Sequence, residues 1–145
     1  MIFIRGIISF RKALLLTIVV AGLLIVFHMS IITGILFFDF APVDYLWGGR
    51  MDTSAQLLNF EWLSLLISVL FFVLLLIKAG RIKIAVLKKV AHMFVWLFFI
   101  LFLFNTIGNL IATTNFEKFF ALVTGLLTFL LLRIAIEKEP GKDVT

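Results

Sequence analysis

Apolar residues fill four stretches of this chain almost without interruption, at 13–38, 57–77, 90–112 and 119–136, and short polar or charged breaks separate them. Each stretch is long enough, or nearly so, to cross the roughly 30 Å hydrocarbon core of a bilayer as a helix. The pattern predicts an all-α, polytopic membrane protein. Its architecture would be an antiparallel four-transmembrane-helix bundle, with helices over about 13–38, 54–79, 84–112 and 115–137. A loop at 39–53 and a polar tail at 138–145 complete a single membrane domain over 1–145.

Local signals sharpen the ends. Thr53-Ser54-Ala55-Gln56 and Thr114-Asn115-Phe116-Glu117 both read as capping boxes, in which the Thr hydroxyl and the acid or amide three residues on satisfy open backbone N–H groups. Lys78 followed by Gly80 reads as a helix end. The second box leaves only a tight turn between the third and fourth helices, so these should be neighbours. No proline interrupts any stretch, which counts against the broken helices common in transporters.

Composition agrees: 63% of the residues are hydrophobic and 14% charged. The chain has no cysteine, which excludes a disulfide framework and the Cys-x-x-Cys chemistry of small membrane thiol oxidoreductases. Lys and Arg are unevenly spread. Arg5, Arg11 and Lys12 precede the first stretch, and Lys78, Arg81, Lys83, Lys88 and Lys89 follow the second. Arg133, Lys138 and Lys142 close the fourth, while only Arg50 and Lys118 lie in the other two breaks. By the positive-inside rule both termini are expected in the cytoplasm. The first stretch is too long for a signal-peptide core and lacks a small-x-small cleavage site, so a retained anchor is expected.

Polar residues inside the stretches carry the chemistry. At 100° per residue, Thr17, Ala21, His28 and Asp39 share a face of the first helix, and Glu61, Ser64 and Ser68 a face of the second. Asn105, Gly108, Asn109 and Ala112 do so on the third, and Glu117, Ala121, Thr124, Thr128 and Ala135 on the fourth. Small residues at membrane helix interfaces allow close approach, so the four faces should meet in a compact bundle. Counted at 1.5 Å per residue from the basic ends, His28, Asn105, Ser64 and Glu61 lie at about 22, 24, 21 and 25 Å. That is one layer, in the outer half of the membrane. An ionisable group in lipid costs at least about 2.5 kcal/mol, so His28 and Glu61 need partners or water.

The expectation is an outward-facing binding pocket lined by His28, Glu61, Ser64, Asn105 and Asn109, with Asp39, Asp44 and Arg50 as a lid. The plainer alternative makes the two asparagines interhelical glue and lets Glu61 reach the outer headgroups. Glu117 reads as a capping acid. Arg133 and Glu137 read as a snorkelling pair on the face opposite the small-residue stripe. His92 should sit near the interface. His28 and His92 lie about 18 Å apart in depth, too far for a shared haem. His28, Glu61 and Asp39 make a poor zinc set, so no metal and no cofactor is expected.

The stretches VDYLWGGR (43–50) and FNTIGNLIATTNFEK (104–118) resemble those of an uncharacterised family of small four-helix bacterial integral membrane proteins. The resemblance covers nearly the whole chain and implies a topology and a bacterial inner membrane, with no activity attached. Small multidrug transporters are similar in size, but their essential glutamate lies in the first helix, where this chain has His28. Three functions stay open: a non-catalytic protein binding a membrane lipid or amphiphile, or partnering a second membrane protein or itself; an enzyme acting on a lipid-like substrate with His28 and Glu61 as acid–base pair; and a proton-coupled transporter using Glu61. No nucleic-acid partner is expected.

Overall fold

Ser9 starts the first long helix. Its backbone is extended and its hydroxyl accepts from the Lys12 amide at 3.3 Å, so α2 (Phe10–Phe37) begins at Phe10 rather than at residue 13. Arg11 and Lys12 interrupt the apolar stretch without interrupting the helix. A short helix, α1 (Ile2–Ile7), precedes it in a segment that hydropathy leaves undefined. The computed structural model describes residues 2–137. The tail expected over 138–145 lies outside the described residues.

The second long helix, α3 (Ser54–Lys78), opens on Thr53, whose hydroxyl accepts from the Gln56 amide at 3.2 Å. Gln56 returns a bond to Asp52 N–H at 2.9 Å, one residue earlier than the usual box. Its end is a Schellman motif: Gly80 has φ 72°, Arg81 N–H reaches Leu76 O at 3.0 Å and Gly80 N–H reaches Ile77 O at 3.0 Å. α4 (Ala85–Ile111) and α5 (Asn115–Ala135) follow, joined by the tight turn that the second box implied. Asp39 does for α2 what Gly80 does for α3. It stands just past the helix with φ 50°, a conformation that Asp tolerates better than most residues.

These four helices are each long and apolar enough to cross a membrane. Consecutive long helices pack against one another, and α2 closes the ring against α5. The buried core lies toward one end, where α2 and α4 begin and α3 and α5 finish. There Phe10, Leu14, Phe71, Leu75, Leu131 and Ile134 are almost wholly buried. α3 meets α4 through Phe71, whose ring centroid lies 4.4 Å from that of Phe98 and 5.5 Å from that of Phe102. Elsewhere large apolar side chains such as Leu15, Leu23, Leu66 and Leu122 face outward, as lipid-facing surface does.

The basic end departs from expectation. Arg133 is 4% exposed rather than snorkelling outward. Its Nε donates to Ile8 O at 2.8 Å, and a terminal nitrogen pairs with Glu137 as the i, i+4 spacing implies. The reason is the N-terminal segment, which crosses this end of the bundle, covers the guanidinium and supplies it with a carbonyl. Arg5 adds a contact to Ile136 O at 3.4 Å. Lys78 is also buried, with its Nζ 3.1 Å from His92 Nδ1 and 3.0 Å from Glu137 O, and lies over the Phe10 ring.

Candidate functional site

The loop end is built differently. Here α3 and α4 part, and the space between them is a cavity of about 600 Å³. Its floor is Phe98 and Phe102, and its back wall is Leu24, Phe27 and His28 of α2 with Phe116, Phe120 and Thr124 of α5. Leu46, Trp47, Gly48 and Arg50 of the long loop roof it. Ile67 on α3 and Leu101, Asn105 and Gly108 on α4 line it while remaining exposed, so the cavity opens sideways between these two helices. Asn105 and Gly108 of the α4 stripe therefore do not pack into a compact bundle, although Asn109 still reaches α5. The face of α4 that packs is Ala91, Val95 and Phe98, and the polar stripe beyond it borders open space.

His28 and Glu61 meet across α2 and α3, Nδ1 to Oε2, at 2.7 Å. The imidazole is 14% exposed and the carboxylate 1%. Glu61 is enclosed within the helices rather than at their surface. Its other oxygen, Oε1, accepts from the Trp47 indole at 3.0 Å, so both carboxylate oxygens carry donors. An ionised Glu61 fixes the proton on Nδ1 and leaves Nε2 as the remaining polar atom of the ring. The arrangement resembles the carboxylate–histidine half of a catalytic triad in its logic: the buried acid orients, and the histidine faces the cavity.

Trp47 carries no role in the sequence pattern, and Glu117 reads there as a cap alone. Both do more. Trp47, Gly48 and Gly49 have φ of 55°, 76° and 63°, three successive left-handed residues. A side chain on Gly49 would come within 3.1 Å of Asp44 O, so the turn needs that glycine for space as well as for φ. Trp47 has no such freedom, and its conformation costs about 1–2 kcal/mol. The bond to Glu61 and a ring contact with Phe60, centroids 5.1 Å apart, offset the strain. The same turn aims the Gly48 N–H at Glu117 Oε1, while Glu117 Oε2 accepts from the Thr114 hydroxyl at 2.8 Å. Glu117 thus caps α5 through Thr114 and ties the loop to it. The signal available in sequence was the Gly-Gly pair, which marks a backbone able to approach a buried acid closely.

The residues expected in a pocket are placed as follows. His28, Glu61, Ser64, Asn105 and Asn109 all border the cavity. Asn109 also donates to Thr124 at a long 3.4 Å, which is the glue role, and Thr106 and Thr128 sit alongside at the same separation. Of the three residues expected in a lid, only Arg50 lines the cavity. Asp39 is occupied in ending α2 and is exposed, and Asp44 is exposed where the chain turns before Trp47. The lid that forms is Leu46–Arg50, held by two carboxylates rather than contributing them.

Neither a protein-family model, nor a curated protein, nor a solved structure matches this chain.

Proposed function

We propose that this protein binds a lipid or lipid-like amphiphile in the cavity between α3 and α4, as a multi-pass protein of a bacterial inner membrane. In this reading the helices form an antiparallel bundle with both termini in the cytoplasm. Eleven of thirteen Lys and Arg residues lie on that side of the runs, and the cavity faces the outer half of the membrane. The observation that carries the reading is the cavity's two-part lining. Leu24, Ile67, Phe98, Leu101 and Phe102 give it an apolar side open to acyl chains, and His28, Trp47, Arg50, Asn105 and Asn109 give it a polar end. Its volume falls within the range of small-ligand sites. A sideways opening between helices suits a ligand that arrives through the bilayer.

The test is native mass spectrometry of the protein purified in mild detergent. The expected result is a resolved adduct of lipid mass that survives detergent exchange at a stoichiometry near one. Protein that sheds all lipid under conditions preserving its fold would contradict the reading.

One observation favours a second reading, the membrane-embedded enzyme. A histidine held by a buried carboxylate and bordering a lipid-accessible cavity is suited to moving a proton to or from a bound amphiphile. The geometry divides the roles unequally. With both oxygens occupied, Glu61 positions the ring, and His28 alone exchanges protons with a ligand.

A further inference from the structure

The donors and acceptors at the polar end of the cavity deepen the reading just given, on which the inference from them rests. Two acids border the cavity, and neither has an oxygen without a donor. Glu61 is engaged by His28 and Trp47, and Glu117 by Gly48 N–H and Thr114. Glu117 also lies in the first turn of α5, where the helix dipole offsets its charge. The donors are not all used. Arg50 roofs the cavity with no acid paired to it among the described residues. Its side chain folds back over Gly48, with Nε 3.4 Å from where a Cβ would stand on that glycine. Asn105 borders the same end from α4, exposed and with no hydrogen-bond partner among the described residues. His28 borders the cavity as well. Among the described residues no buried side-chain polar atom lacks a partner, so these open donors border the cavity rather than sit stranded in the core.

We infer that the cavity selects an amphiphile with an anionic phosphate headgroup, held by the Arg50 guanidinium and the Asn105 amide, with its chains lying along Ile67, Leu101 and Phe102. Guanidinium is the side chain best matched to phosphate, because its planar fork places two N–H groups on two oxygens. The left-handed Trp47-Gly48-Gly49 turn sets that fork at the polar end. Gly48 has a direct part: lacking a side chain, it leaves the space over which Arg50 lies.

The test is a competition in detergent solution. Delipidated protein is offered equimolar phosphatidylglycerol and a glycosyl diacylglycerol of the same short chains, which carries no phosphate, and bound lipid is read by native mass spectrometry. Separate arms offer inorganic phosphate alone and a single-chain quaternary ammonium amphiphile. Wild-type protein is expected to favour phosphatidylglycerol by roughly tenfold, the effect of one charge-assisted contact. Arg50→Gln should bring the two lipids to near parity while total lipid bound stays substantial, and Arg50→Lys should keep part of the preference. Millimolar phosphate alone should neither bind nor displace lipid. Equal binding of both lipids by wild type, an unchanged preference in Arg50→Gln, or stronger binding of the quaternary ammonium amphiphile would each overturn the phosphate assignment and leave amphiphile binding standing. Displacement of lipid by phosphate would show a free-anion site and overturn the lipid headgroup as its source. Absence of any bound lipid would overturn both readings together.

Discussion

Glu61→Leu destabilises the folded protein by about 3 kcal/mol, read as a shift in unfolding midpoint in mixed micelles, because removing one partner of a buried pair strands the other. Leucine fills nearly the same space, so the loss is not a packing defect. Two donors lose their acceptor at once: the His28 imidazole, at 2.7 Å, and the Trp47 indole, at 3.0 Å. The second loss also releases the strained Trp47 backbone and loosens the lid. Magnitude separates this account from the plainer one. An interhelical hydrogen bond in a membrane bundle averages about 0.6 kcal/mol, so a loss of that size would make the pair ordinary glue. Glu61→Gln keeps one carbonyl oxygen as an acceptor and should cost about 1 kcal/mol. Combining His28→Phe with Glu61→Leu should recover part of the loss, since no imidazole is then left stranded. A fully stable Glu61→Leu variant would remove the pair from the account.

Gly108→Trp abolishes lipid retention, lowering the lipid-bound fraction at least roughly tenfold, without harming the fold. Gly108 borders the cavity from α4, and a Cβ built there meets nothing within 4 Å. An indole added at this position grows into the empty space of about 600 Å³ and blocks the opening between α3 and α4. The helix itself gains slightly, because glycine in a helix interior costs about 1 kcal/mol relative to alanine and tryptophan costs less than that. Leu122→Trp, on an outward face of α5, adds the same bulk against lipid and should leave retention unchanged. Native mass spectrometry of the three proteins checks this. Wild-type retention in Gly108→Trp would mean that the lipid sits elsewhere.

Much of the frame was legible in the residues because it depends on local rules. Hydrophobic length gave the four helices, and Thr53, Thr114 and Gly80 marked helix ends through bonds that reach only a few positions along the chain. Ser9 belonged to the same class of signal but was masked by the charged Arg11 and Lys12. The layer holding His28 and Glu61 was legible from helical rise alone, and the two residues meet in that layer. What was not legible depended on long-range contacts. Periodicity cannot distinguish a polar stripe that packs from one that borders a cavity, so Gly108 was expected against a neighbouring helix and instead lies exposed beside the cavity that Asn105 also borders. The lid rests on bonds from Trp47 to α3 and from Gly48 to α5, and no short-range pattern encodes them. Arg133 was misplaced for the same reason: the carbonyl it reaches belongs to Ile8, at the opposite end of the chain.

The most direct test of a laterally open lipid site is photo-crosslinking in nanodiscs with a phospholipid carrying a diazirine midway along one chain. Peptide mapping should place the dominant crosslinks on Ile67, Leu101 and Phe102, with loss of that set in Gly108→Trp. Crosslinks spread evenly over outward residues such as Leu15, Leu66 and Leu122, with none between α3 and α4, would contradict the account.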